Sequence, residues 1–338
     1  MNLPEIKYCP GTLAKGFESY SRTCLNRVFN AKKVHHVLPY ESPASNLETD
    51  ELFEENRKRT SISGVQKKFS VKLDKNKLRL VNEGERGTHI LKPIPDVGKR
   101  AGQMPANEHL TMQIARQVYG IETAENALIF FRNGYPAYIT KRFDVKEDSS
   151  LPAGQAEKWA QDDFASLSEK TPQTHGEHYK YSGNYLELFQ IMKTYLPAYK
   201  IEAPKLFKLL VFNYLFSNGD AHLKNFSLLE TPMGDFRLSP AYDLLNSRIH
   251  IEDKDFALDD GLLPANLAQG KIAQRFFVLA EHAGLSEKQV KKIFSLVTSG
   301  SEKTEKLVAA SFLNEKTKLN YWQAYQTRFK RITKQRIV

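Results

Sequence analysis

Asn218-Gly219-Asp220-Ala221-His222-Leu223-Lys224-Asn225 is the stretch that decides how this sequence is read. It follows a helix predicted over Pro204 to Phe216 and precedes the short apolar run Phe226 to Leu229. An Asp and an Asn five residues apart on a loop match the catalytic loop of a phosphoryl-transfer enzyme. There the Asp accepts or orients the acceptor hydroxyl's proton and the Asn holds Mg²⁺. The spacing has a geometric reason: both oxygens must converge on a γ-phosphate and its metal while the backbone turns once between them. Taken alone, the pattern is a polar turn with an N-cap.

The next residues change that balance. Gly234-Asp235 turns the chain, Phe236 to Leu238 forms a companion strand, and Ser239-Pro240-Ala241-Tyr242-Asp243-Leu244-Leu245 places a carboxylate between apolar neighbours. In kinases the metal-binding Asp sits just after such a hairpin, and Asp243 fits that position. Two carboxylates and an amide are the hard oxygen ligands that Mg²⁺ takes, with phosphate and water completing the octahedron.

Working outward, Phe69 to Leu73 alternates with strand period, and Leu78 to Val81 and Thr88 to Lys92 repeat the character, the first two joined by the turn Asp74-Lys75-Asn76. A helix over Asn107 to Tyr119 stops at Gly120, and two strands, Ala127 to Phe131 and Tyr135 to Phe143, flank Asn133-Gly134. Lys92, at a strand end, stands where a kinase keeps the lysine that neutralises the α- and β-phosphates. Glu108 is either its ion-pair partner or a helix N-terminal charge favoured by the macrodipole. Ser61-Ile62-Ser63-Gly64-Val65-Gln66-Lys67-Lys68 is a small-residue loop ahead of a strand, able to approach phosphates with backbone N–H groups, though neither a Walker A nor a GxGxxG sequence.

Beyond Asp144 the pattern is helical, over Asn184 to Tyr195, Pro204 to Phe216, Ile272 to Ala283, Glu287 to Leu296 and Asn314 to about Arg331; Glu147 to Tyr181 reads as a long loop with a short helix near Asp162. The predicted fold class is therefore α+β, a two-lobed protein-kinase-like arrangement. Residues 1–143 make an antiparallel-sheet N-lobe with an irregular lead-in, and residues 144–338 a helical C-lobe.

Composition sets outer limits. Lys and Arg number 49 against 39 Asp and Glu, a formal charge of +10 over 338 residues, which favours nucleotides, nucleic acid or an acidic protein face but equally serves solubility. Cys9 and Cys24 are the only cysteines and no leader-like run precedes them, so a reducing cytoplasm is expected. Their spacing to His35 and His36 fits a zinc finger poorly. No stretch of about eighteen apolar residues argues for a membrane span.

Five segments in order resemble the HipA-type bacterial toxin kinases, and most of all the short HipT-type members. They are Ser61 to Gln66, Thr88 to Pro93, Lys141 to Asp144, Asn218 to Ser227 and Ser239 to Leu245. The resemblance implies an ATP- and Mg²⁺-dependent serine/threonine kinase acting on a translation component, an aminoacyl-tRNA synthetase. It also implies restraint by a small antitoxin of HipB or HipS type, with DNA reached only through that partner. It makes Asp220 the catalytic base, Asn225 and Asp243 the metal ligands, and Lys92 a phosphate contact. Ser61, Ile62, Ser63, Gly64, Val65 and Gln66 become the phosphate loop, with autophosphorylation at Ser61 or Ser63. His222 and Lys224 join the nucleotide-binding set, and the backbone around Phe143 becomes the adenine hinge, where Lys141 stands in place of an acidic residue. The loop arrives so early that the N-terminal module of longer HipA proteins has no room, and a separate small protein is expected to supply it.

Two other readings use the same residues. A phosphotransferase acting on a small molecule or lipid shares the catalytic logic. A non-catalytic DNA-binding repressor subunit would instead use a basic tail of Arg328, Lys330, Arg331, Lys334 and Arg336, which otherwise reads as a solvated end.

Overall fold

Alternation along Phe69-Ser70-Val71 sends two side chains to one face of a sheet, and the structure shows what they meet. The computed structural model describes residues 3–43, 67–96, 98–146, 157–252 and 254–333. The chain divides into two units, one of Met1–Gln113, Ala124–Lys158 and Lys306–Lys318, the other of Ile114–Thr123, Trp159–Glu305 and Leu319–Val338.

The first unit opens with α1 (Arg22–Phe29), capped by Ser21, whose hydroxyl accepts the Cys24 N–H. Five strands follow: β1 (Phe69–Asp74), β2 (Lys77–Leu80), β3 (His89–Pro93), β4 (Asn126–Phe130) and β5 (Pro136–Lys141). They form one antiparallel sheet in the order β2-β1-β3-β5-β4. Its register aligns Phe69, Leu91, Ile139 and Ala127 in one row across four strands. That row packs with Cys24, Val28 and Phe29 of α1 in a single apolar core. The adjacent row, Lys92, Tyr138 and Leu128, faces the other way because side chains alternate along a strand. Gly134, with φ 85°, closes the second hairpin, as Asn133-Gly134 foretold.

The lead-in is more than a preface. Cys9, Tyr20, Val34 and Leu38 belong to the same core, and Leu38 N donates to the Phe130 carbonyl at 2.7 Å, so this irregular segment seals the edge beyond β4. Cys9 and Cys24 are buried free thiols. Among the described residues no cluster of three or more His, Cys, Asp or Glu side chains suited to a metal occurs.

Between β3 and β4 runs α2 (Met104–Gln117), which ends as expected at Gly120 with φ 56°, Ile121 N reaching back to the Ala115 carbonyl at 2.9 Å.

The second unit holds a three-stranded antiparallel sheet, β6 (Gln161–Asp163), β7 (Ser227–Glu230) and β8 (Phe236–Leu238), in the order β6-β7-β8. Its helices are α3 (Phe164–Leu167), α4 (Pro172–His175), α5 (Tyr185–Tyr195), α6 (Tyr199–Leu215), α7 (Ile272–His282) and α8 (Glu287–Ser299). Two further helices, α9 (Ser301–Ala310) and α10 (Glu315–Thr333), complete the chain's described part. The segment from Glu147 to Tyr181, expected as a long loop with a short helix near Asp162, has that helix in α3 and, among its described residues, also β6 and α4. α6 is buried around most of its circumference, as a central helix must be, with Phe207 edge-on to Phe276 at 6.1 Å. It begins five residues before Pro204. A proline removes one N–H only, and the Ala198 carbonyl already nucleates the first turn by taking both Ile201 N and Glu202 N.

The basic tail needs a correction. Arg328 is 1 % exposed, its guanidinium lying over the Tyr214 ring at 4.9 Å and bonded to Asp255, the Lys254 carbonyl (3.1 Å) and Ser217 Oγ (3.4 Å). Arg331 grips both oxygens of the same Asp255 at 2.9 and 2.7 Å. A counter-charge more than seventy positions away makes Arg328 a buried anchor, whereas Lys330 and Arg331 are exposed, as a solvated end would have them. Lys334 and Arg336 lie outside the described residues. Among the described residues no helix is long and apolar enough to cross a membrane.

Candidate functional site

The buried helix α6 ends abruptly, and that ending builds the site. Ser217 takes the left-handed region (φ 52°), and Asn218 N returns to the Asn213 carbonyl at 2.8 Å, the closure of a helix C-terminus. Gly219 then passes close to Ser247, whose Oγ accepts the Gly219 N–H at 2.8 Å and donates to the Ser217 carbonyl at 2.9 Å. A Cβ on Gly219 would stand 3.2 Å from that hydroxyl and 3.4 Å from the Lys254 carbonyl, so the position favours the smallest residue.

Asp220 follows at once. Its carbonyl accepts the His222 N–H at 2.8 Å and the Asn225 side-chain Nδ2 at 2.9 Å. The five-residue spacing is therefore a physical tether. A 3₁₀ turn over Leu223–Asn225 brings the amide back over the carbonyl, with Ala221 and Leu223 buried beneath as anchors. Since Nδ2 is committed to this bond, Oδ1 of Asn225 points elsewhere, and among the described residues it accepts no hydrogen bond.

Asp243 sits beyond the β7–β8 hairpin in the left-handed region (φ 54°), a conformation that Asp tolerates better than most residues. Its neighbour Tyr242 donates to the Lys224 carbonyl at 3.0 Å, tying this loop to the residue before Asn225. His222 feels both carboxylates. Burial pushes its imidazole down to about 4, against the upward pull of Asp220 and Asp243 and with Lys180 adding to the fall, so the ring is neutral near pH 7. A carboxylate and an amide oxygen on adjoining loops are hard donors of the kind that Mg²⁺ takes, so the chemistry of these residues fits that ion.

Lys224 directs its ammonium to Asp163 at 2.7 Å, the residue that also caps α3. Asp163 was not singled out in the sequence, and neither was Tyr181, whose hydroxyl donates to Asp220 Oδ1 at 2.8 Å.

In the first unit, Lys92 and Glu108 form a buried ion pair with Nζ to Oε1 at 2.6 Å, each side chain 3 % exposed. This decides between the two roles left open for Glu108. The Lys92 ammonium also lies 5.3 Å from the Tyr138 ring centroid. Lys141 closes β5 and donates to Asn30 Oδ1 at 2.7 Å. Just beyond it, Arg142 grips both oxygens of Asp144 at 2.9 and 2.6 Å, on either side of Phe143. Ser61, Ile62, Ser63, Gly64, Val65 and Gln66 lie outside the described residues.

Comparison with known proteins follows the same lines. A Haemophilus influenzae protein named as a candidate kinase is 24 % identical over 333 residues, covering 93 % of this chain and 92 % of its own length. The candidate kinase Y4dM of Sinorhizobium fredii is 32 % identical over 252 residues, 70 % of this chain, which spans only 56 % of that protein. Among solved structures, HipA of Shewanella oneidensis, determined with HipB and operator DNA, matches with a TM-score of 0.59 at 20 % identity. That match covers 80 % of this chain and 63 % of HipA. The Helicobacter pylori proinflammatory kinase CtkA matches with a TM-score of 0.53 at 15 % identity, covering 82 % of this chain and 92 % of CtkA. These two likenesses bear out the α+β fold, an antiparallel sheet joined to a helical region. Residues 60–304 match the model of the HipA-like C-terminal domain, and the chain belongs to that family.

Proposed function

We propose that this chain is an ATP- and Mg²⁺-dependent serine/threonine protein kinase, the toxin of a HipA- or HipT-type toxin–antitoxin system. Its substrate is a translation component, an aminoacyl-tRNA synthetase. The observation that carries the reading is the tether from Asn225 Nδ2 to the Asp220 carbonyl, which holds the Asp220 backbone and the Asn225 amide on one turn. Asp220 takes the proton of the acceptor hydroxyl. Asn225 and Asp243 hold the ion, which neutralises phosphate charge when bound. Lys92, oriented by Glu108, neutralises the α- and β-phosphates, and the Ser61 to Gln66 loop covers them, with Ser61 and Ser63 as autophosphorylation sites. The backbone around Phe143, next to Lys141, takes the adenine, and His222 and Lys224 line the nucleotide's surroundings.

Shewanella HipA was solved with HipB and operator DNA, which supports a small antitoxin as partner here and DNA association through it. Burial of Arg328 weakens the rival reading of a DNA-binding tail. The test is transfer of label from γ-labelled ATP to purified aminoacyl-tRNA synthetases, beside a panel of small metabolites and lipids. Transfer to a synthetase by the wild type and none by Asp220→Asn supports the kinase reading. Label on a metabolite or lipid alone supports the small-molecule phosphotransferase, and loss of neither activity in the variant removes Asp220 from the chemistry.

A further inference from the structure

Tyr181 closes a 3₁₀ turn, Tyr179–Tyr181, in a stretch where the sequence offers no motif. Its hydroxyl donates to Oδ1 of Asp220 at 2.8 Å, and among the described residues Oδ2 has no hydrogen-bond partner. The contact is built rather than incidental. The Tyr181 N–H bonds the His178 carbonyl at 2.8 Å, and its own carbonyl accepts the Asp259 N–H at 2.9 Å. The ring stands edge-on to His222, centroids 5.3 Å apart, and the Lys180 ammonium lies 5.1 Å from its centroid. Four residues on, Tyr185 donates its hydroxyl to the Ala221 carbonyl at 2.7 Å. One short segment thus holds consecutive residues of the catalytic loop, the first by its side chain and the second by its backbone. Gly183 between them has φ +94°, a conformation that other residues rarely adopt, so the turn joining the two tyrosines favours glycine.

We infer that Tyr181 is a positioning residue for phosphoryl transfer: its hydroxyl occupies one oxygen of Asp220, fixes the carboxylate's rotation and leaves the other oxygen for the acceptor hydroxyl. This rests on the reading of Asp220 as the group that takes the acceptor's proton. The terminal torsion of an aspartate is broad and roughly two-fold, so an unbraced carboxylate samples orientations that present neither oxygen correctly. Burial, and after it the charge of Asp220, push the Tyr181 phenol above its ordinary range, so it remains a donor at neutral pH.

The test compares wild type, Tyr181→Phe, Tyr181→Leu and Asp220→Asn, with γ-labelled ATP as donor and both the chain itself and dephosphorylated casein as acceptors. Tyr181→Phe is expected to lower kcat about tenfold, equivalent to about 1.4 kcal/mol, with KM for ATP within about twofold and the thermal midpoint unchanged. Tyr181→Leu is expected to match it in kcat, since the lost hydroxyl is common to both. A Tyr181→Phe enzyme at the wild-type kcat overturns the inference, and one faster than wild type shows the phenol to be a plug. A deficit confined to Tyr181→Leu, which would mean ring packing, also overturns the inference, as does a deficit accompanied by weaker ATP binding or a lower midpoint. Asp220→Asn at the wild-type rate, or a wild type that labels neither these acceptors nor purified aminoacyl-tRNA synthetases, brings down the reading beneath it and the role of Tyr181 with it.

Discussion

Replacing Glu108 by Gln tests the first unit's most consequential pair without reference to any activity. At 2.6 Å the attraction between Lys92 and Glu108 is about 6 kcal/mol with an effective dielectric constant of about 20. Both ions were stripped of water to reach 3 % exposure, at several kcal/mol each, so the intact pair contributes little net stability. Removing one member is a different matter. Lys92 keeps its desolvation cost and loses the charge of Glu108, and Glu108→Gln is expected to destabilise by about 3–5 kcal/mol, a large share of what a domain typically has. The double variant Lys92→Met/Glu108→Leu removes both charges and is expected within about 1–2 kcal/mol of wild type. Urea unfolding followed by circular dichroism measures the whole chain, and hydrogen exchange of peptides spanning β3 and α2 reports on the pair locally. A Glu108→Gln protein as stable as wild type, or a double variant no better than the single, would refute the buried-pair argument. Under the proposed function the double variant would also be folded yet unable to use ATP, which separates stability from chemistry.

Three further expectations concern other parts of the molecule. Arg328→Ala removes bonds to Asp255, Ser217 and Lys254 while Arg331 still serves Asp255, so a loss of about 2–3 kcal/mol is expected. Arg328→Lys should recover less than half, because an ammonium lacks the planar fork, and full recovery in thermal melts contradicts this. Asp243→Asn keeps a side chain that tolerates the left-handed region, so the fold should persist while Mg²⁺-dependent ATP binding weakens. A calorimetric titration with unaltered Mg²⁺ dependence would remove Asp243 as a ligand. Burial holds the imidazoles of His89 and His109 down at about 4. Between about pH 6.5 and that value the unfolded chain binds protons the folded chain does not, so stability is full above the window and falls through it by up to about 3 kcal/mol per histidine. Urea midpoints across pH 7 to 4.5 check the slope, which should be shallower in His89→Gln than in wild type; equal slopes contradict the assignment.

Local features were legible in the sequence, and features depending on distant partners were not. The strands of the first sheet showed through because alternation and turn residues such as Asn133-Gly134 act within a few positions, and the observed strand ends differ by a residue or two. The Asp220 and Asn225 pairing was readable because the tether spans five residues and shapes its own loop. Pro204 misled, since one missing N–H resembles a helix start when its neighbours' bonds are unseen. The lead-in carries no periodicity, because Leu38 earns its burial from a strand that comes some ninety residues later. Tyr181 and Arg328 were hidden for the same reason. A tyrosine in a polar loop and an arginine in a basic helix acquire meaning only when Asp220 and Asp255 arrive from elsewhere.

The two units described above are woven from alternating lengths of one chain, which crosses between them five times. Neither can be cut out as a continuous gene fragment. A clone ending at residue 304, where the family match stops, would strip Val308 and Leu313 from one interior and Tyr321, Tyr325 and Arg328 from the other. Expression trials guided by that boundary alone should therefore yield insoluble protein, and a productive split into two co-expressed pieces would need its break in an exposed turn such as Met233-Gly234.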